Sequence, residues 1–265
     1  MSAYPNSNEL SLEERLDDMI DVCIGRFTPG FTKFLDGGEL VKAKNYLSRF
    51  KNDVLCVAFG GFYNCERAVL GIFPKSIYGY DGVKIESLYE MFELCFVKIS
   101  GSGFKRLTHR DFLGSVLGLG LKRDTVGDIV IDESGTSAVV AFTKPAGKLV
   151  LSELEFVGND RVKTKQVDIE NLPSIKYEFQ VISGTVASFR LDCVLALAVS
   201  TSREKAKRLI DLKAVSVNHA EALKCDTQIC EGDLLSVRGV GRFKIAKLGD
   251  TTKKGRNRIE VHKFK

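Results

Sequence analysis

The last third of the chain carries a dense set of cationic side chains. Arg190, Arg203, Lys205, Lys207, Arg208 and Lys213 follow one another closely, and Arg238 and Arg242 come after them. A guanidinium offers a planar fork that matches phosphate, and an ammonium acts as a compact point charge. Together such groups can straddle a phosphate backbone. Arg203 and Lys205 also stand in the first turn of an expected helix, where the helix dipole disfavours positive charge. Cations placed against that preference point to an external anion. Ser202 and Asn218 lie within the same stretch and add hydrogen-bonding groups. A second, smaller set is Lys105, Arg106, His109 and Arg110, beside a flexible Gly101-Ser102-Gly103 loop. Those residues fit a secondary nucleic-acid contact or a clamp between domains.

Other chemistries need residues that stand elsewhere or not at all. His109-Arg110-Asp111 matches the start of a kinase catalytic loop, but Val116 occupies the position of its asparagine. No Asp-Phe-Gly and no glycine-rich phosphate loop accompanies it. Gly114, Gly118 and Gly120 fall in or after a helix, whereas a methyltransferase cofactor loop follows a strand. Cys225, Cys230 and His219 fit no zinc spacing. No metal and no cofactor is therefore expected. The seven cysteines are irregularly spaced without a CxxC pair, as for thiols in a reducing cytoplasm. The first residues are polar and no apolar run reaches membrane-spanning length, so a soluble, cytoplasmic monomer without a membrane partner is expected.

Hydrophobic periodicity supplies the elements that must position these groups. Helices are expected over 9–26 and 36–50, and strands over 54–59 and 68–73. The next stretch reads strand 91–99, helix 108–117, strands 128–131 and 137–142, helix 145–154 and strand 161–167. That βαββαβ order describes a ferredoxin-like plait. Its strands lack the basic-Gly-aromatic signature of an RNA-recognition sheet, which favours a structural role for the plait. Pro173 marks a linker, and a strand is expected to begin near Tyr177. Beyond it, Leu191, Val194, Leu195, Ala198 and Val199 form a helix that is apolar nearly all round. Thr201 with Glu204 reads as a capping box for a second helix. Short strands follow at 215–218 and 234–237. The fold class is α+β: an N-terminal α/β domain over 1–80, the plait over 81–172 and a basic domain over 180–265.

Charge follows the same division. The net charge is +5, but from Ser188 onward Lys and Arg outnumber Asp and Glu by 17 to 9, while before it they are outnumbered by 22 to 25. A basic domain on a faintly acidic body is the footprint of polyanion binding. The cluster Lys253-Lys254-Gly255-Arg256-Asn257-Arg258 adds charge at an expected hairpin turn.

Arg190-Leu191-Asp192, Ser202-Arg203, Ala206, Ile210, Val215-x-Val217-Asn218 and Gly232-Asp233 resemble the S-four domain, or αL motif, an RNA-binding module. Two positions depart from its pattern: Lys213 stands where the module has a helix-ending glycine, and His219 where it often has a turn glycine. A second resemblance covers most of the chain. Phe31 to Asp36, Gly60-Gly61-Phe62 with Glu66-Arg67, His109 to Gly114, Leu117 to Gly120 and Gly127-Asp128-Ile129 resemble the YlmH family of bacterial proteins. The resemblance implies non-enzymatic binding of structured RNA, namely rRNA of the ribosomal large subunit and tRNA, in translation quality control or assembly. Two alternatives stand beside it: an RNA-modifying enzyme, either pseudouridine synthase or methyltransferase, and an adaptor at the cell-division site.

Overall fold

The computed structural model describes residues 10–80, 83–175, 178–252 and 254–264. Tyr177 of the expected strand, Glu9 of the expected first helix and Lys253 of the basic cluster lie outside these residues. Packing divides the chain into two compact units, residues 1–175 and 176–265. Both combine helices with antiparallel sheets, an α+β architecture.

The first unit opens with α1 (Leu12–Arg26), β1 (Gly30–Leu35), α2 (Gly37–Leu47), β2 (Val54–Phe59), β3 (Ala68–Pro74) and the short α3 (Lys75–Tyr78). Both long helices begin on capping boxes, Ser11 with Glu14 and Asp36 with Glu39. Each box satisfies backbone donors that the first helical turn leaves unpaired. Leu16, Ile20 and Cys23 of α1 and Ala43 and Leu47 of α2 pack on Leu70 and Ile72 of β3. The sheet runs β1-β3-β2.

The plait follows: β4 (Leu94–Ser100), α4 (His109–Gly118), β5 (Val126–Ile131), β6 (Ser137–Thr143), α5 (Lys144–Glu153), a small hairpin of β7 (Phe156–Val157) and β8 (Asp160–Arg161), and β9 (Lys163–Val167). Its sheet runs β5-β6-β4-β9 with every pair antiparallel, the ferredoxin-like order. Side chains alternate across it. Cys95, Val97 and Ile99 of β4 pack under the helices with Phe112, Val116 and Val150. Phe96 and Ala141 face the other way and are buried with Phe34, Val57 and Phe59 of the N-terminal sheet and with Phe62 of the loop after β2. Each such phenylalanine contributes about 2–3 kcal/mol on leaving water. The unit is therefore four layers, helices on sheet on sheet on helices. The plait face that could display base-stacking aromatics is covered there, in keeping with the missing RNA-recognition signature.

The seam between the two sheets explains several motif residues. Gly61 has φ +88°, and a Cβ on it would lie 2.1 Å from the Phe96 ring, so only glycine permits this approach. Arg67 donates from Nε to the Val126 carbonyl at 3.1 Å and from Nη2 to the Phe34 carbonyl at 3.0 Å. β5 shifts register between Val126 and Ile129, an irregularity that brings Asp128 to the seam. One carboxylate oxygen of Asp128 accepts the Glu66 amide at 2.6 Å and the Arg67 amide at 3.3 Å. Burial pushes the Asp128 pKa above its ordinary value despite those bonds.

The second unit contains β10 (Phe179–Val186), α6 (Leu191–Ala198), α7 (Arg203–Asp211), β11 (Val215–Val217), β12 (Ala220–Glu221), β13 (Leu234–Val237), β14 (Gly241–Thr251) and β15 (Asn257–Phe264). Its sheet runs β10-β15-β14-β13-β11-β12. Leu191, Val194 and Leu195 of α6 and Ala206 and Ile210 of α7 pack on Leu235, Phe243, Ile245, Ile259 and Val261. The two helices rest on one face of the sheet, the arrangement that the S-four resemblance implies.

Candidate nucleic-acid interface

The exposed face of α7 follows from where its apolar residues fall. Ala206 and Ile210 turn into the core, which leaves Arg203, Lys205, Lys207 and Arg208 exposed. The cap is Ser202 rather than Thr201: its Oγ accepts the Lys205 amide at 3.3 Å. The expected capping box was therefore placed one residue early. Ser202 supports the helix that carries the cations.

Arg203 is fixed from below. Asp192 of α6 is fully buried, and its Oδ2 accepts Arg203 Nε at 2.9 Å, with Nη2 also at 2.9 Å. Arg190 Nε lies 3.4 Å from the other carboxylate oxygen. Burial alone would raise the Asp192 pKa, but the Arg203 hydrogen bond and the nearby positive charges outweigh it and hold the carboxyl below its usual range. About half of the Arg203 side chain remains exposed, so a fixed guanidinium edge faces solvent. The sign of the pH dependence follows. A carboxyl whose native pKa is depressed adds stability above its unfolded pKa of about 4, and that contribution is lost as pH falls through the native value. Asp192→Asn is expected to be less stable than the parent at pH 7 and to lose less on acidification. Urea unfolding at pH 7 and pH 3 measures both, and parallel losses in the two proteins would contradict it.

Lys213 ends α7 in the left-handed region, φ 55°, the conformation that a glycine adopts without cost. Its Nζ lies 3.1 Å from Glu221 in an exposed pair, an arrangement that adds little stability. Lys213→Gly is expected to stabilise the second unit by about 1 kcal/mol. Urea unfolding of the variant beside the parent measures the gain, and a loss of stability would show that the lysine side chain has a structural role.

Asn218 and His219 also have positive φ, 48° and 68°, and form the tight turn between β11 and β12. The Asn218 amide donates to Asp233 at 2.7 Å, and its oxygen accepts the Leu234 amide at 2.9 Å. Its side chain thus holds the β12–β13 connection to the turn, a positioning role. Lys213, His219, Arg238 and Arg242 line one groove of about 540 Å³. Arg242 sits 4.8 Å over the Phe264 ring. Arg203 lines a different groove, of about 400 Å³, with Thr201 and Arg256. Arg256 was read only as part of a charged tail. It bonds Thr185 through Nε to Oγ1 at 3.0 Å and through Nη2 to the carbonyl at 2.6 Å, and no sequence spacing announces that pairing across 71 positions.

In the first unit, Thr108 caps α4 and forms a box with Asp111, which sets His109 and Arg110 in the exposed first turn. Asp111 is thereby occupied as a cap. Partial desolvation by the surrounding protein, although the residue reaches the surface, and the Arg123 charge lower the His109 pKa, against the opposing pull of Asp128 and Glu66. His109 is therefore within electrostatic reach of the seam. Lys105 and Arg106 are exposed on the loop before α4, and the Arg106 stem lies on Gly135.

Among the described residues, no group of three or more metal-binding side chains converges, and no helix is long and apolar enough to cross a membrane. A family model described as "Putative RNA-binding domain in YlmH" matches residues 89–171, the plait. "Ribosome-associated protein quality control protein P2" of Bacillus subtilis (strain 168) is 30% identical over 234 residues, spanning 88% of this chain and 87% of that one. The chain belongs to the YlmH family. A solved structure described as "Cell division protein ylmH from Streptococcus pneumoniae" matches the YlmH-family chain with a TM-score of 0.50 and 17% identity, over 65% of this chain and 99% of that one. That match is one of fold.

Proposed function

We propose that this YlmH-family protein binds structured RNA without chemistry of its own, on the large ribosomal subunit and in contact with tRNA, in cytoplasmic translation quality control. The observation that carries the reading is the α7 face: Lys205, Lys207 and Arg208 are exposed, and Arg203 is held in place by a buried aspartate. An arginine already held in place loses little entropy on meeting a phosphate, and the exposed cations beside it add charge. The name of the Bacillus subtilis relative, a ribosome-associated quality control protein, supports the ribosomal setting. A pseudouridine synthase would require a free catalytic aspartate. Asp192 is buried under Arg203, and Asp17, in the other Arg-Leu-Asp triplet, accepts the Tyr46 hydroxyl at 2.6 Å.

Fluorescence anisotropy with labelled tRNA and a large-subunit rRNA fragment tests the binding. The logarithm of affinity should fall linearly with the logarithm of salt, by about 0.7–0.9 for each phosphate neutralised. Absence of binding at low salt contradicts the reading. Incubation of the protein with unmodified rRNA should leave base and methyl content unchanged; product formation would replace it with the enzyme alternative.

A further inference from the structure

We infer that the plait carries a second RNA contact, built for the phosphate backbone and not for bases, on the part of its sheet beyond the covered aromatic patch. The inference rests on the RNA-binding reading above and on the family description of the plait as an RNA-binding domain, and adds to them a face and a ligand chemistry. Even-numbered residues of β4 and odd-numbered residues of β9 share one face, with Phe96 opposite Val167, Lys98 opposite Lys165 and Ser100 opposite Lys163. Thr164, between the lysines, points the other way and donates to the Leu151 carbonyl of α5. Phe96 is buried against the N-terminal sheet. One step along the strands the cover thins: Val139, opposite Lys98 on β6, still packs on the buried cluster, while Lys98, Lys163 and Lys165 are all exposed.

Lys98 and Lys165 are direct cross-strand partners of like charge, a pairing that weakens a sheet unless an anion lies over it. Among the described residues none of the three lysines forms an ion pair. Two carboxylates at this end of the sheet, Asp132 and Asp160, are occupied by backbone amides. Asp132 accepts the Thr136 amide at 2.9 Å and the Ser137 amide at 3.0 Å. Asp160, itself buried, accepts the Ser102 amide at 3.0 Å. The loop leaving β4 then adds Lys105 and Arg106. On the strands no aromatic residue lies on this part of the face, since β6 contributes Ser137 and Val139 opposite Ser100 and Lys98; the exposed ring nearby, Phe104, belongs to the loop beside Lys105. The strand surface therefore offers charge without a row of stacking rings, and the single ring of Phe104 stands at its edge. It fits a duplex RNA backbone, which proteins recognise by shape and phosphate contacts.

The test uses the full-length protein and a labelled RNA hairpin with a stem of about 16 base pairs, the span of a typical duplex-binding module. Lys205→Ala/Lys207→Ala/Arg208→Ala removes the α7 contacts and isolates what remains. Adding Lys98→Ala, Lys163→Ala and Lys165→Ala is expected to weaken the residual binding by about tenfold and to lower the salt slope by about 2. Changing the base sequence of the stem should leave the affinity unaltered. Thermal stability should hold or rise, because a like-charge pair is removed, so misfolding cannot imitate the effect. Unchanged affinity and slope would overturn the inference, including the case in which the patch meets a protein. If the parent protein binds the hairpin and only the plait substitutions are silent, the α7 reading survives; if the parent binds no RNA, both fall.

Discussion

Replacing Lys205, Lys207 and Arg208 together with alanine is expected to weaken binding of structured RNA by about ten- to a hundredfold at low salt and to lower the salt slope by about 2–3. All three side chains leave the helix on the side away from Ala206 and Ile210, so their removal takes charge and little else. Alanine is also a better helix former than any of them, and the fold should not suffer. Arg203 is the wrong residue for this purpose. Its loss would leave the buried Asp192 with only Arg190 nearby and would confuse a binding defect with an unfolding one. Anisotropy at several salt concentrations reads both quantities. A variant that keeps the parent slope would place the RNA on another face.

The second large effect concerns the first unit. Arg67→Ala should destabilise it by about 2–4 kcal/mol, because the Phe34 carbonyl loses its guanidinium donor and the Arg123 and Val126 carbonyls each lose one of theirs. Val126 keeps a bond from Arg123, which sets the figure below a full loss at every site. Asp128 also loses the positive charge beside it, and burial already disfavours its ionised form. For a unit of this size the midpoint of thermal unfolding should fall by roughly 5–12 °C. Arg67→Lys should recover only part of the loss, since one ammonium cannot span carbonyls that a planar fork reaches at once. Differential scanning calorimetry of the two variants decides this, and a midpoint within about a degree of the parent would show that the seam does not depend on Arg67.

The elements that read most clearly in the sequence are those whose periodicity is set by one buried face. β2 was expected at 54–59 and lies there, and the plait elements fall within a few residues of their expected limits. β1 was not anticipated. Its two most buried residues, Phe34 and Leu35, are adjacent and face different cores, so no alternation marks the strand. The helix cap at Ser202 was displaced because Thr201 and Ser202 carry the same hydroxyl chemistry, and only backbone geometry chooses between them. The replaced glycine at Lys213 marked the helix end in the sequence, and the structure shows that the lysine takes the left-handed backbone there. The site was legible as composition and only partly as geometry. Sequence placed Arg203 among the cations but not its grip on Asp192, and it could not show that Asn218 has its amide occupied by Asp233 and Leu234. Nor could it show that the N-terminal sheet closes the plait face at Phe96, because that contact depends on residues far apart in the chain.

Sedimentation of the full-length protein with purified ribosomal subunits tests the central claim most directly. At low salt the parent should travel with the large subunit and leave it at high salt, while the Lys205→Ala/Lys207→Ala/Arg208→Ala protein should remain largely unbound at both. Equal sedimentation of the two proteins, or travel with neither subunit, would contradict a ribosomal RNA contact through α7.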